Sequence, residues 1–274
     1  MLEKATLDEL IAKGNAPLFL DQLKHANTQS QLIALPLDYK VSDLECYQEH
    51  RNSLRGKFST EMITEFVEYG KVFSGEGSAV FINTGAMSAK AIFDIGTEDK
   101  PLHMKHTARV SLKTMAAYRS LREIDGEHKN QRQIAEWLED YKDYLAAYGD
   151  TGEEIPMTKA IEAIRVLKFE RKQGSSSEVQ QFAASQSEYE SIATKTKDEL
   201  TIPAGFVFKC VPFLGLDERS FDMRLSIIRN ETLTLKVKRF EEIIEEMALE
   251  FRDKLQAAQK EADIESPVYV GSFE

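Results

Sequence analysis

Residues 206–240 read FVFKCVPFLGLDERSFDMRLSIIRNETLTLKVKRF. Three runs in this stretch alternate apolar and polar side chains, and a spacing of two places the apolar set of each run on one face of a β-strand. From Phe240 the apolar spacing becomes that of a helix. The pattern predicts a meander with one buried face that leads into a long helix. The three apolar sets are Phe206, Phe208 and Cys210; Phe221, Met223, Leu225 and Ile227; and Leu233, Leu235 and Val237.

Further strands and helices precede this block. Residues 78–81 and 89–95 are predicted strands joined by a short turn, and a third strand is expected over residues 102–112. Helical spacing covers residues 131–148 and 158–168, and Ser59 or Thr60 is expected to cap a helix that contains Phe66. Because parallel pairs need a long crossover, successive strands favour an α+β fold. We expect a large antiparallel sheet with helices packed mainly on one face.

Breaks in these patterns indicate the domain organisation. Residues 1–31 begin with the capping-box pattern Thr6-Leu7-Asp8-Glu9 and are interpreted as an N-terminal helical arm. The arm is equally compatible with packing on its own chain and with reaching a neighbouring subunit. Residues 32–274 are predicted to form a single α+β domain, in which the small-residue stretch 173–177 is a candidate flexible joint.

Composition limits the class of protein. Hydrophobic residues make up 42% and charged residues 30% of the 274 residues, as is typical of a soluble globular protein. No apolar run approaches the ~20 residues that span a bilayer, so we expect no membrane contact and a cytoplasmic location. Cys46 and Cys210 are interpreted as reduced thiols. The net charge of −11 disfavours general binding to nucleic acid unless a local basic patch overrides it.

No catalytic constellation is recognisable in the sequence. A Gly-x-Ser-x-Gly elbow and a complete phosphate-binding loop are both missing. His103 and His106 are three residues apart on a predicted strand, so their rings are expected on opposite faces and not at one metal ion. We therefore predict a non-enzymatic protein with no catalytic residues, metal or cofactor. The alternative is an enzyme in which Asp94, both histidines and the acids of residues 217–219 meet in space.

Two charged surfaces are candidate binding sites. The helix that begins at Phe240 has an apolar stripe that is expected to face the sheet, and its acids are expected to face solvent. The stripe consists of Phe240, Ile243, Ile244, Met247, Phe251 and Leu255. The acidic set is a candidate docking surface for a partner: Glu241, Glu242, Glu245, Glu246 and Glu250. The last predicted strand supplies a basic set for a nucleic-acid alternative, with Phe206, Phe208 and Phe213 nearby as candidate stacking residues. The basic set is Lys236, Lys238 and Arg239.

The order of many short motifs resembles the YfdQ-like proteins of phages and prophages. The resemblance spans about residues 32–274, and it implies a phage context, often beside genes for DNA recombination or single-strand binding. The family has no agreed catalytic residues that the resemblance could carry over to this chain. The motifs are Leu35-Pro36-Leu37-Asp38-Tyr39-Lys40-Val41, Phe58-Ser59, Ala79-Val80-Phe81, Ala91-Ile92-Phe93-Asp94, the His106 region, Glu136-Trp137-Leu138-Glu139-Asp140, Leu200-Thr201-Ile202-Pro203 and Val268-Tyr269-Val270-Gly271.

Two functions are compatible with these observations, in addition to the enzyme alternative. The first is a phage-encoded binding protein that assembles into a homo-oligomer, binds a host or defence protein, or does both. The second is an accessory protein of phage DNA recombination or replication that contacts single-stranded DNA.

Overall fold

A computed structural model describes residues 45–47, 49–51, 53–167, 200–228 and 232–273. The chain divides into two compact units, Met1–Ser53 and Leu54–Glu274. In the first unit the described residues include a 3₁₀-helix over Glu45–Tyr47, and Arg51 lies 3.8 Å from the carboxylate of Glu45. The predicted arm over residues 1–31 and the candidate joint over residues 173–177 lie outside the described residues.

The described part of the second unit contains two β-sheets and five α-helices. The helices are α1 (Ile63–Phe73), α2 (Ala116–Ile124), α3 (Gln131–Asp140), α4 (Met157–Arg165) and α5 (Phe240–Glu261). The strands are β1 (Gly56–Thr60), β2 (Ala79–Asn83), β3 (Ser88–Ile92), β4 (His106–Ser111), β5 (Lys129–Asn130), β6 (Leu145–Tyr148), β7 (Glu154–Ile155), β8 (Gly205–Cys210), β9 (Arg219–Ile228), β10 (Thr232–Val237) and β11 (Val268–Val270).

The first sheet has the strand order β1-β4-β3-β2-β11. Its centre is an antiparallel meander of β2, β3 and β4, and the β2–β3 hairpin confirms the strand pair predicted there. Both edge strands run parallel to their neighbours, β1 to β4 and β11 to β2. A parallel pair needs a long connection between its two strands. Between β1 and β4 this connection consists of α1 and the β2–β3 hairpin.

The second sheet has the strand order β5-β10-β9-β8-β6-β7, with antiparallel pairing throughout. The predicted meander is confirmed as β8, β9 and β10. Its apolar face is closed to solvent, since Phe206, Phe208 and Phe221 are each 0% exposed. Alternation over two residues therefore identified the buried face correctly.

Three helices contact this buried face through aromatic side chains. The ring of Tyr118 on α2 lies 5.4 Å from that of Phe221, and Phe240 on α5 lies 6.2 Å from the same ring. Trp137 on α3 stacks on Phe208 at 5.7 Å. The apolar residues of both sheets and of the helices join in one hydrophobic core. The predicted α+β class is confirmed, with the strands divided between two sheets where one large sheet was expected.

Helix α5 begins at the predicted residue and buries most of the predicted stripe. Met247, Phe251 and Leu255 are 0% exposed, and Phe240 and Ile243 pack against the core. Ile244 was expected on the same stripe but is 36% exposed, so that assignment was wrong. The stripe of a helix covers only part of its circumference, and Ile243 occupies the core side at this turn.

The helix predicted over residues 131–148 is too long. Helix α3 ends at Asp140, and Leu145–Tyr148 forms strand β6, which pairs with β8. Leu145 and Ala147 are both buried, so the apolar residues here follow the two-residue period of a strand. Leu145 also fits the helical stripe of the preceding residues, and this double fit caused the error.

Two other predicted boundaries are corrected. Ser59 and Thr60 belong to β1, and α1 begins at Ile63 after Met62, whose backbone N–H donates to the Thr60 hydroxyl at 3.1 Å. The third strand was expected from residue 102 but begins at His106. Met104 has a φ of 53°, a left-handed conformation that interrupts a strand.

The open face of the second sheet contains a hydrogen-bonded group centred on Tyr148. The Tyr148 hydroxyl donates to Asp222 at 2.5 Å, and the Lys238 ammonium donates to both, at 3.1 Å and 2.9 Å respectively. Gly205 is the cross-strand partner of Tyr148. A Cβ atom at Gly205 would collide with the Tyr148 side chain and with the backbone oxygen of Met223, so this strand position requires glycine.

We expect Gly205→Ala to lower the free energy of unfolding by about 1–3 kcal/mol, the usual cost of overpacking. The matched control is Gly56→Ala, on strand β1, where a Cβ meets nothing within 4 Å. The control should change the stability by less than about 1 kcal/mol. Urea unfolding followed by circular dichroism measures both variants. Equal stability of the two would contradict the close packing of Tyr148 on Gly205.

Candidate functional site

The acidic residues at the start of α5 are exposed, but they are not all unpaired. Glu242 accepts a hydrogen bond from Arg239, and Glu246 accepts one from Arg219 at 2.8 Å. Within the described ranges, only Glu241 and Glu245 of the five candidate acids have no hydrogen bond or ion pair. The acidic set therefore offers less unopposed charge than the sequence indicated.

Glu250 does not face solvent as expected, and this assignment is corrected. Its side chain is 14% exposed and accepts from Arg219 Nη2 at 2.9 Å and from the backbone N–H of Asp217 at 2.7 Å. Lys254 lies 3.3 Å away on the next turn of α5. The Glu250 side chain points towards the segment between β8 and β9, where the Arg219 guanidinium and the Asp217 N–H offset the cost of burying its charge.

Asp217 and Lys254 extend the same ion cluster. Their side chains hydrogen-bond at 2.7 Å, which lowers the pKa of Asp217 and raises the pKa of Lys254. The cluster fastens the segment before β9 to α5. Its geometry is that of a structural contact between two elements, and we assign it that role.

The predicted basic set is largely neutralised by neighbouring acids. Lys238 donates to Asp222, which raises the pKa of Lys238, and Arg239 pairs with Glu242. Lys236 is exposed on the open face of the second sheet, opposite Arg224 on β9. Two of the three cations proposed for nucleic acid are thus already engaged within the chain.

The phenylalanines proposed as stacking residues lie in the core. Phe206 and Phe208 are 0% exposed and Phe213 is 9% exposed. Their role in contacting a single strand is therefore wrong, because a buried ring presents no face to a base. The cross-strand row of Lys236 and Arg224 continues through Gly205 to Tyr148, whose hydroxyl is already engaged by Asp222 and Lys238 within the chain.

His106 lies in β4 but His103 does not, so the expectation that both histidines belong to one strand is wrong. His106 is 4% exposed, its ring packs on Phe93 at 4.8 Å, and its Nε2 lies 2.9 Å from the Tyr69 hydroxyl. His103 is exposed and precedes β4. No group of three or more potential metal ligands occurs in the described part of the chain.

The residues of the enzyme alternative serve separate contacts. The Asp94 carboxylate accepts the backbone N–H groups of Lys105 and His106, each at 2.9 Å. Asp217 and Arg219 belong to the ion cluster on α5. The thiol of Cys210 is buried, and this burial raises its pKa to about 12, so it is protonated at neutral pH.

A charged surface that the sequence did not indicate lies on the first sheet. The strand register places five side chains in one row across the sheet: Ser59, Arg109, Lys90, Phe81 and Tyr269. Lys57 shares their face, because it is two residues before Ser59 on β1. Phe273 stacks on Phe81 at 4.7 Å and so lies on this face too. We call these seven residues the cationic face.

The hydrophobic core lies on the face of the first sheet that is opposite to the cationic face. Phe58 stacks on Tyr69 of α1 at 4.4 Å, and Ala108 and Val110 are 0% exposed. In contrast, Lys57 and Arg109 are exposed and Lys90 is half-buried. The row spans about 19 Å, given about 4.8 Å between adjacent strands. Ala79 and Ile92 lie on the same face as the row but are 4% and 1% exposed, so this face is accessible only in part.

The three cations of this face have no acidic partner in the described residues. Lys57 and Arg109 form no hydrogen bond or ion pair there, and Lys90 donates only to the backbone oxygen of Phe273, at 3.2 Å. Arg109 and Lys90 are direct cross-strand neighbours. Like charges in this relation repel each other and weaken a sheet, so the arrangement favours an anion above it.

Aromatic rings continue the row beyond Lys90. Phe81 packs between Tyr269, at 5.5 Å and 23° between ring planes, and Phe273, at 4.7 Å and 25°. Tyr269 is 53% exposed. The row thus passes from cations to stacked rings, one of which is open to solvent.

The signal for this surface is present in the sequence but is incomplete. Lys90 stands between Ala89 and Ala91, and Arg109 between Ala108 and Val110, which marks both as the outward residues of buried strands. Their adjacency depends on the β3–β4 register. Tyr269 joins them through the parallel pairing of β11 with β2, which brings together residues 188 positions apart in the sequence. Just before these strands, the hydroxyls of Ser78 and Ser266 form a hydrogen bond across the same separation.

A comparison with protein families assigns the chain to one of them. None of the helices in the described ranges has the length and apolar character needed to cross a membrane. No curated protein and no solved structure matches the chain. A family model described as "Uncharacterized conserved protein (DUF2303)" matches residues 9–273. The chain therefore belongs to the DUF2303 family.

Proposed function

We propose that this protein is a phage- or prophage-encoded, non-enzymatic binding protein of the bacterial cytoplasm that contacts single-stranded DNA through the cationic face. The resemblance to YfdQ-like proteins supports the phage context. One observation supports the DNA contact above all others, namely the row in which Arg109, Lys90, Phe81 and Tyr269 are consecutive cross-strand neighbours.

The charges of the row suit a phosphate backbone. Lys57, Lys90 and Arg109 present three cations without an acidic partner in the described residues. Each cation that contacts a phosphate releases a counterion, so affinity should fall with salt at a slope of about −0.7 per contact for a single strand. The net charge of −11 repels DNA elsewhere and leaves this face as the favoured place of contact.

The rings of the row suit unpaired bases. Tyr269 is exposed and rests on Phe81, which holds the phenol ring against the sheet. A base that stacks on an aromatic side chain gains about 1–3 kcal/mol irrespective of its sequence. A duplex hides the faces of its bases, so the combination favours single strands over double strands.

The DNA contact is tested with Lys90→Gln/Arg109→Gln. Removal of two phosphate contacts should weaken binding about tenfold at low salt and reduce the salt slope by about 1.4. The measurement is fluorescence anisotropy with a labelled oligothymidine of about 16 nucleotides, the upper site size of single-strand-binding folds. The control is Lys142→Gln/Lys159→Gln, which removes two exposed cations from outside the first sheet. The same loss in both variants, or no salt-sensitive binding by the native protein, would contradict the proposal.

The stacking contribution is tested separately with Tyr269→Ala. The variant should bind the oligothymidine about 5- to 150-fold more weakly, with the salt slope unchanged, because no charge is lost. Tyr47→Ala is the matched control, since Tyr47 is 84% exposed and lies outside the first sheet. An unchanged affinity of Tyr269→Ala would remove base stacking from the proposal.

A second candidate function is self-assembly into a homo-oligomer. Glu241 and Glu245 lie on the exposed side of α5 with Ile244 and Leu249, which are 36% and 48% exposed. This acidic and apolar stripe is complementary in charge to the cationic face. A stripe that binds the cationic face of a second copy forms a heterologous interface, which can close into a ring.

Self-assembly predicts a discrete solution mass that is a multiple of 31.1 kDa. Glu241→Lys/Glu245→Lys should reduce the mass to that of one chain, whereas Glu154→Lys/Glu162→Lys, on β7 and α4, should leave it unchanged. Light scattering after size exclusion measures both variants, and a chain without residues 1–31 shows whether those residues are connectors. A monomeric native protein would contradict self-assembly and direct attention to a host or defence protein as the partner.

A further inference from the structure

A depression of about 570 Å³ adjoins the cationic face where β1 and β4 end. Ser59, at the end of the row, lines this depression, and so does Ser111, which follows Arg109 by two residues on β4. Arg119 and Arg122 on α2 line its other side. We call this depression the basic pocket. A DNA strand that runs along the row towards β1 reaches Ser59, which lies at the border of the basic pocket.

The cations of the basic pocket outnumber its acids. Among the described residues that line it, Lys113, Arg119 and Arg122 are positive and Glu61 alone is negative. Glu61 lies 3.8 Å from Lys113 with both side chains more than half exposed, a geometry in which an ion pair contributes little. Arg122 has no hydrogen bond or ion pair within the described ranges. The charge of the pocket is therefore available to an anion.

The donors of the pocket suit a phosphoryl group. Among the described residues Arg119 donates one long hydrogen bond, of 3.5 Å to the Thr114 carbonyl oxygen, and its other N–H groups are available to an anion. Ser59, Thr60, Ser111 and Thr114, each of which has a hydroxyl group, also line the pocket, and the Thr60 hydroxyl accepts the backbone N–H of Met62 but can still donate its own proton. Guanidinium groups bind phosphate oxygens in a bidentate manner, and hydroxyls satisfy the oxygens that remain.

The number of these donors favours a terminal phosphate over an internal one. A phosphate monoester has three unshared oxygens and a charge of about −1.5 to −2 at pH 7, whereas an internal diester has two such oxygens and a single charge. Three cations and four hydroxyls exceed what a diester needs. The volume lies within the usual range of ligand pockets, about 300–1,000 Å³, and accommodates the terminal nucleotide with its phosphate.

We propose that the basic pocket binds the terminal phosphate of a single DNA strand that lies on the cationic face. This assignment rests on the proposed function, because the strand must first occupy the row of Arg109 and Lys90. The pocket then fixes the end of the strand and the direction in which the strand crosses the sheet. The protein prefers phosphorylated ends over hydroxyl ends.

The test compares oligothymidines that have a 5′-phosphate, a 3′-phosphate or neither. The native protein should bind one phosphorylated form about tenfold more tightly than the unphosphorylated form, the effect of a charge-assisted contact. Arg119→Gln/Arg122→Gln should abolish this preference and change the affinity for the unphosphorylated oligothymidine less than about threefold. Glu61→Gln should increase the preference, because it removes the acid of the pocket. Arg132→Gln, an exposed position on α3, is the control for the loss of an arginine.

The possible outcomes separate this inference from the proposed function. Equal affinity for all three oligothymidines overturns the inference and leaves single-strand binding intact. The same holds if the preference persists in Arg119→Gln/Arg122→Gln. Calorimetric titration with pyrophosphate tests the other source of phosphate. Binding of pyrophosphate that needs both arginines, without any preference among oligothymidines, identifies a free-phosphate site and overturns the terminal-phosphate assignment. Failure of every oligothymidine to bind overturns the proposed function itself.

Discussion

The aromatic face of the second sheet is the constraint on which the rest of the structure depends. Phe206, Phe208 and Phe221 are fully buried, and each contributes about 1.5–3 kcal/mol through its removal from water. Helices α2, α3 and α5 must lie on that side to cover them. The same requirement holds for the first sheet, whose apolar face meets α1. Each sheet therefore has one face that packs against helices, and the cationic face lies on the other face of the first sheet.

Local patterns predicted the parts of the fold that depend on local physics. Alternation in β8, β9 and β10 identified the buried face, since a strand in a two-layer protein must divide its side chains between core and solvent. Helix α5 was equally clear, because its apolar stripe repeats over many turns. Leu145 shows the limit of this reasoning. It fits a helical stripe and a strand alternation, and only its pairing with Phe208 on β8 decides between them.

The candidate site depends on pairings that no local pattern specifies. Lys90 and Arg109 are ordinary outward residues when each strand is considered alone. Their adjacency follows from the strand register. Tyr269 comes next to them because β11 pairs with β2, although all strands of the second sheet lie between β2 and β11 in the sequence. Conversely, the surfaces that the sequence did indicate are weakened by contacts within the chain. Glu250 and Lys238 each find a partner on another element, so charge counted along a helix or strand overstates the charge that reaches solvent.

The pairing of β11 with β2 also orders events during synthesis. Strand β2 leaves the ribosome long before β11, and its edge lacks a parallel neighbour until residues 268–270 emerge. A nascent chain folds its earlier parts first, and unpaired strand edges are the places where incomplete proteins associate wrongly. The same final segment supplies Tyr269 and Phe273. The first sheet is therefore completed at the same time as Tyr269 and Phe273 reach Phe81. A partly synthesised chain does not yet have the complete cationic face.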